Sequence, residues 1–240
     1  MSSRRRFLSS TVAVAGSAGL PPGAEAAAPV PYFPLMRRGA YDYEAVMRVV
    51  TIQASNKLCF LSDATLNGLP GIPNIFEKMT NGWTAYEFGF LPSPERQSLA
   101  VSGVLIAGSI VFALNDAMWK KYRIGSVMKL AGRNGKIVNS NYSVQPTSKL
   151  DLGADPSDLR SVYHDYSSTA LLRRGAQFLV CHNAVAGVLQ RFVAASGLSH
   201  AYIIRDWAEN LLRGFYVMPG APAMVETLLQ HGWHLYPVID

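Results

Sequence analysis

The chain has 240 residues, 49% hydrophobic and 16% charged, with a formal net charge of +6. That balance builds a buried core and excludes a disordered chain. The charge is mild and no block of Lys and Arg with interleaved aromatics occurs, which argues against nucleic acid as a partner.

The first 26 residues have three parts in order: a basic start with Arg4, Arg5 and Arg6, an apolar stretch over 7–20, and Ala24-Glu25-Ala26. These are the parts of a secretory signal. Ser3-Arg4-Arg5-Arg6-Phe7-Leu8 resembles the twin-arginine (Tat) pattern, an address rather than an anchor. A disordered basic tail is the plainer alternative. The apolar stretch, diluted by Gly16, Gly19 and several Ser, is short of the ~20 residues a membrane span needs. The expectation is a periplasmic protein whose mature chain starts near Ala27, with no stable membrane span. The signal holds +2 of the charge and leaves +4 on the rest.

Residues 27–55 read as an N-terminal arm, extended around Pro29, Pro31 and Pro34, with a short helix over 41–50. An α/β domain over 56–240 follows. Residues 57–61 form a short apolar run, the signature of a buried strand. Pro70, Gly71 and Pro73 break the chain. A helix begins at Asn74, where Asn74 and Glu77 have capping-box spacing. Phe76, Met79, Trp83, Tyr86 and Phe90 recur at helical spacing as one apolar face. A second strand over 99–107 turns at Gly108-Ser109 into a helix over 110–122. Residues 139–158, rich in Ser, Asn, Pro and Gly, read as a long surface loop. Then come a helix over 159–174 stopping at Gly175, a strand over 177–181, helices over 184–195 and 200–212, a strand over 215–218, a helix over 222–230 and a last strand over 233–238. This alternation predicts an α/β, flavodoxin-like three-layer fold with a mainly parallel five-stranded sheet.

Open parallel sheets bind ligands beyond the carboxyl ends of their strands. The chemistry-bearing residues there are Gly108 and Ser109, Cys181, His182 and Asn183, with Asn115 and Asp116 on the following helix. Cys181 is the strongest nucleophile among them. It sits where strand gives way to helix, and free N–H groups of a first helical turn favour a thiolate. His182, its neighbour, points to the opposite face. A buried Cys as a small packing residue is the equal alternative. Cys59, in mid-strand, reads as core, and its height in the sheet argues against a bond to Cys181. Gly108-Ser109 is a weak anion cradle, and Asn115 and Asp116 read equally as ordinary helix positions. His231 and His234 lack the partners of a metal site, so no metal is assigned, and the sequence identifies no cofactor.

Arg174-Gly175-Ala176-Gln177-Phe178-Leu179-Val180-Cys181-His182-Asn183-Ala184 resembles the region around the cysteine of DsrE/DsrF-like proteins. Residues 114–122, Leu-Asn-Asp-Ala-Met-Trp-Lys-Lys-Tyr, look like the matching segment of exported members. The resemblance covers roughly 57–238 in element order. It implies a homo-oligomer with Cys181 as the position that carries persulfide sulfur or exchanges thiols with a protein partner. Trp83, Trp119 and Trp207, a surplus for one small core, point to oligomer contacts as well. The export signal, the 139–158 loop and the His182-Asn183 pair depart from the cytoplasmic sulfur carriers. Two functions follow: a cysteine-based sulfur carrier or thiol redox protein using Cys181, and a non-catalytic binding or scaffold module that assembles with a partner. An exposed, reactive Cys181 marks the first; a buried, inert one marks the second.

Overall fold

Five short apolar runs become strands: β1 (Asn56–Ser62), β2 (Leu99–Leu105), β3 (Gln177–Cys181), β4 (Phe215–Met218) and β5 (His234–Val238). All pair in parallel, in the order β4-β3-β2-β1-β5. The computed structural model that shows this describes residues 41–63, 71–92 and 98–238. The signal at 1–26, arm residues 27–40 and Pro70 lie outside the described residues.

The strand period of two sends alternate side chains to two cores. Phe60, Val101, Phe178, Val180 and Phe215 face one side. There they meet α2 (Asn74–Ala85), α3 (Asp116–Lys121), α4 (Ile124–Met128), α5 (Ser168–Arg174), α6 (His182–Ser196) and α7 (His200–Glu209). Cys59, Val104, Leu179, Cys181 and Met218 face the other side. They are covered by α1 (Tyr43–Val50) and α8 (Ala221–Gln230). Helices on both faces of one parallel sheet make the expected three-layer fold. α1, which lies within the stretch read as an arm, is part of this packing: Val46, Val49 and Val50 are buried, and Trp233 Nε1 donates to the Val50 carbonyl at 3.0 Å.

The connectivity matters for function. From β1 to β4 the chain steps one strand at a time, with its helices on the first face. From β4 it leaves through α8 on the other face and lands beyond β1. Adjacent strands β3 and β4 therefore send their chains to opposite faces, and their carboxyl ends form the switch point where open α/β sheets place ligands.

Several elements differ from expectation. The helix predicted over 110–122 is two pieces, a 3₁₀ helix (Ala107–Ala113) and then α3 with Asn115 as its N-cap; α4 follows as a separate turn. Asn115 Oδ1 accepts the Met118 N–H at 3.0 Å, which starts a new helix where one was expected to continue. The helix predicted over 159–174 is only α5, because Ser167 caps it by accepting the Ala170 N–H at 3.1 Å. It ends at Gly175 as expected, at φ 104°. α2 is capped by Pro73 and not by Asn74, which is the first helical residue, so the capping box does not form. A single π turn over Tyr86–Phe90 then rotates the helix face. Phe90 leaves the apolar stripe and is 78% exposed.

Candidate functional site

The switch point is built from the ends of β3 and β4, where Cys181 stands level with Met218. Cys181 is the N-cap of α6, but its sulfur makes no bond to that helix. The donor comes from the other helix: Ala221 N–H, in the first turn of α8, donates to Cys181 Sγ at 3.3 Å. The expectation that α6 serves its own cysteine is thereby corrected. The parallel register swings the thiol to the α1/α8 face, and the helix that starts after β4 meets it there. Asn183 lies across the same place, since a β-carbon on Gly220 would stand 3.0 Å from Asn183 Nδ2. Gly220 is thus small for a reason: it lets the Asn183 amide cross the β4–α8 turn. Cys181 itself is only 4% exposed, packed with Leu179, Met218 and Ala221.

Cys59 shares the α1/α8 face but not the site. It stands level with Ser102, which stands level with Gln177, four residues before Cys181. At ~3.3 Å per residue that is about 13 Å along the sheet, with two strand spacings besides. Both cysteines are free, as the separation requires. Burial pushes the Cys59 thiol up to about 12, so it stays protonated and inert.

His182 follows Cys181 and faces the other way, as strand alternation predicts. It lines a pocket of about 450 Å³ between α6, α7 and β4. Burial pushes its imidazole below the ordinary histidine range, with the Asn183 side chain opposing. The ring is therefore neutral near pH 7. Its Nδ1 is buried without a hydrogen-bond partner.

The remaining predicted residues belong to the scaffold. Ser109 is fully buried; its hydroxyl donates to the Ser62 carbonyl at 2.7 Å and accepts the Ile106 N–H at 3.0 Å. It ties the end of β1 to the end of β2, beside Gly108, and leaves no cradle for an anion. Asn115 caps α3 and donates to Asn210 Oδ1 at 3.1 Å. Asp116 accepts the Asn141 N–H at 3.0 Å and pairs with Lys120 at 2.6 Å. None of these bonds reaches Cys181. Trp83, Trp119 and Trp207 are buried within the chain, so its own core absorbs the aromatics that pointed to oligomer contacts.

Sequence reasoning missed Ala221 and Tyr216 and took Trp207 for an oligomer contact. Ala221 and its neighbour Gly220 are small residues whose role lies in a backbone N–H and in missing bulk, which no side-chain pattern announces. Trp207 and Tyr216 line the pocket beside His182. The helical stripe Ile203, Ile204, Trp207, Leu211 is the signal that places Trp207 toward the sheet. Among the described residues no group of three or more His, Cys, Asp or Glu is gathered to hold a metal ion, and no helix is long and apolar enough to cross a membrane. Comparison with known protein families, with curated proteins and with solved structures gives no match.

Proposed function

We propose that this chain is an exported ligand-binding module of DsrE-like architecture, in which Cys181 is a packing residue and not an exchanging thiol. The observation that carries this reading is the burial of Cys181: 4% exposed, inside an apolar cluster, with its sulfur already engaged by Ala221 N–H. A persulfide adds a sulfur atom and an anion, and among the described residues the side chains packed on Cys181 are apolar and supply no cation. A pocket of about 450 Å³ along the edge strand β4, which Cys181 does not line, is in the size range of small-molecule sites. Export through the twin-arginine route and assembly into a homo-oligomer remain part of the proposal, the first from Arg4–Arg6 and the apolar stretch, the second from the resemblance alone.

One observation favours the second reading, thiol chemistry at Cys181. The sulfur sits at the switch point with the first turn of a ten-residue helix aimed at it, an arrangement that welcomes an anion. Brief iodoacetamide treatment of the native, reduced protein near neutral pH, read at both cysteines by mass spectrometry, separates the two. The binding-module reading expects Cys59 and Cys181 to stay unmodified until the protein is unfolded. Rapid alkylation of Cys181 with Cys59 silent overturns it in favour of the thiol reading.

A further inference from the structure

The pocket between α6, α7 and β4 has a chemistry of its own. Its walls are apolar, among them Ile110, Val185, Ile204, Leu211 and Val217. Among the described residues Asp42 is the one charged residue that lines it, and its Oδ1 already accepts the Ala45 N–H at 2.8 Å as the cap of α1. No Lys or Arg lines it among the described residues. Against these walls an ionised ligand would lose its hydration without gaining a counter-charge, and a cation would find only a capping carboxylate.

Besides Asp42 and the tyrosines Tyr41 and Tyr216, two buried polar side chains stand in the wall. His182 is 7% exposed and Trp207 is 2% exposed; both line the pocket, and His182 Nδ1 and Trp207 Nε1 are buried with no hydrogen-bond partner. Buried polar atoms are nearly always paired, and an unpaired one costs its full desolvation. The indole is a donor only, so it calls for an acceptor. The neutral imidazole offers a donor or an acceptor according to its tautomer. Trp207 is held in place by edge contacts to Phe192, with ring centroids 5.2 Å apart, and to Tyr122, at 6.5 Å. The indole is therefore held in one orientation.

We infer that this pocket binds an uncharged, mainly apolar ring compound bearing one oxygen, a phenol or a cyclic ketone, whose oxygen accepts from Trp207 Nε1 with His182 as the second polar contact. The inference rests on the binding-module reading and names the ligand class of that module. The pocket runs along the edge strand β4 and Cys181 does not line it, so the thiol takes no part.

Three probes of one ring system test it on the full chain by isothermal titration: 2-naphthol, naphthalene and 2-naphthoate. 2-Naphthol is expected to bind at least tenfold more tightly than naphthalene, which lacks the oxygen, and at least tenfold more tightly than the charged naphthoate. Trp207→Phe keeps an aromatic ring and removes the N–H. It should abolish most of the preference for 2-naphthol over naphthalene, whatever the smaller ring costs both ligands in contact, with circular dichroism checking the fold. Equal binding of 2-naphthol and naphthalene by the unaltered protein overturns the inference and needs no variant. So does a folded Trp207→Phe protein with its 2-naphthol preference intact. If no probe binds and Cys181 stays protected from iodoacetamide, the ligand class falls and the module reading stands. If no probe binds and Cys181 alkylates rapidly, both fall.

Discussion

Asp165 is a carboxylate closed off from solvent, 1% exposed. Its Oδ2 accepts the Thr147 N–H at 2.7 Å and the Ser148 N–H at 2.9 Å; its Oδ1 accepts the Ser167 N–H at 2.9 Å. Burial alone would push the carboxyl up, but the donors from Ser167 and Ser148 outweigh it and hold it below the ordinary range. A folded-state value below the unfolded one means stability that is complete above the unfolded carboxylate pKa of about 3.9 and lost as pH falls through the folded value. Asp165→Asn should therefore cost about 2 kcal/mol at pH 7, in line with charge-assisted bonds lost at a buried site. The gap between variant and parent should narrow as pH falls below about 4. Urea melts from pH 7 to pH 2.5 check it; a gap that stays constant down to pH 2.5 would show that the charge does not matter. This role was not legible in the sequence, because the partners at 147 and 148 lie 18 and 17 residues away, across a loop without period. Cys59, by contrast, was legible as core, since Leu58 and Phe60 bracket it in a short apolar run.

At the scale of elements, five strands and their order along the chain could be read because each is a short apolar run closed by a turn or a helix start. The breaks within helices could not. Residues 110–122 read as one helix, but Asn115 inside them caps a new one, and the break is held from outside. Asn141, 1% exposed and 27 residues beyond Leu114, donates through Nδ2 to the Leu114 carbonyl at 2.7 Å and lies 3.1 Å from the Phe112 carbonyl. Those carbonyls would otherwise be orphaned where the 3₁₀ helix ends. Leu114 and Phe112 are themselves fully buried, so water cannot replace the amide. Asn141→Ala should cost about 2–4 kcal/mol, the penalty for one or two buried carbonyls left unpaired. Asn115→Ala, a half-exposed N-cap, should cost nearer 1 kcal/mol. Thermal or chemical denaturation of the two variants side by side gives the ratio, and an Asn141 loss no larger than the Asn115 loss would mean that the loop does not hold the break. The candidate site divides the same way. Cys181 and His182 fall on opposite faces as strand alternation requires, whereas the convergence of α8 on the thiol depends on β4 lying beside β3, which sequence order alone does not state.

Across the whole molecule, the sheet has one switch point and two unequal covers. Among the described residues six α-helices cover one face, and α1 and α8 cover the face that holds Cys181. That makes α1 indispensable. It is strongly amphipathic, capped by Asp42, and brings Val46, Val49 and Val50 onto Leu179, Val104 and their neighbours. Three buried valines at ~1.5 kcal/mol or more each represent about 5 kcal/mol, a large share of the 5–15 kcal/mol that separates folded from unfolded domains. The Trp233 indole would also lose its acceptor at Val50. The export proposal places the mature start at Ala27, fourteen residues before the first described one, Tyr41. A chain starting at Ala27 should therefore melt within a degree or two of the full-length chain and keep Cys181 protected from iodoacetamide. A chain starting at Asn56 retains every strand but should be largely unfolded at 37 °C, or melt at least 10 °C lower, with both cysteines open to alkylation. Calorimetry and thiol labelling on the two truncations decide the matter. If the chain starting at Asn56 is as stable as its longer counterpart and still hides Cys181, α1 is an accessory, the thiol is shielded by α8 alone, and the argument for burial as the state of this site loses one of its two walls.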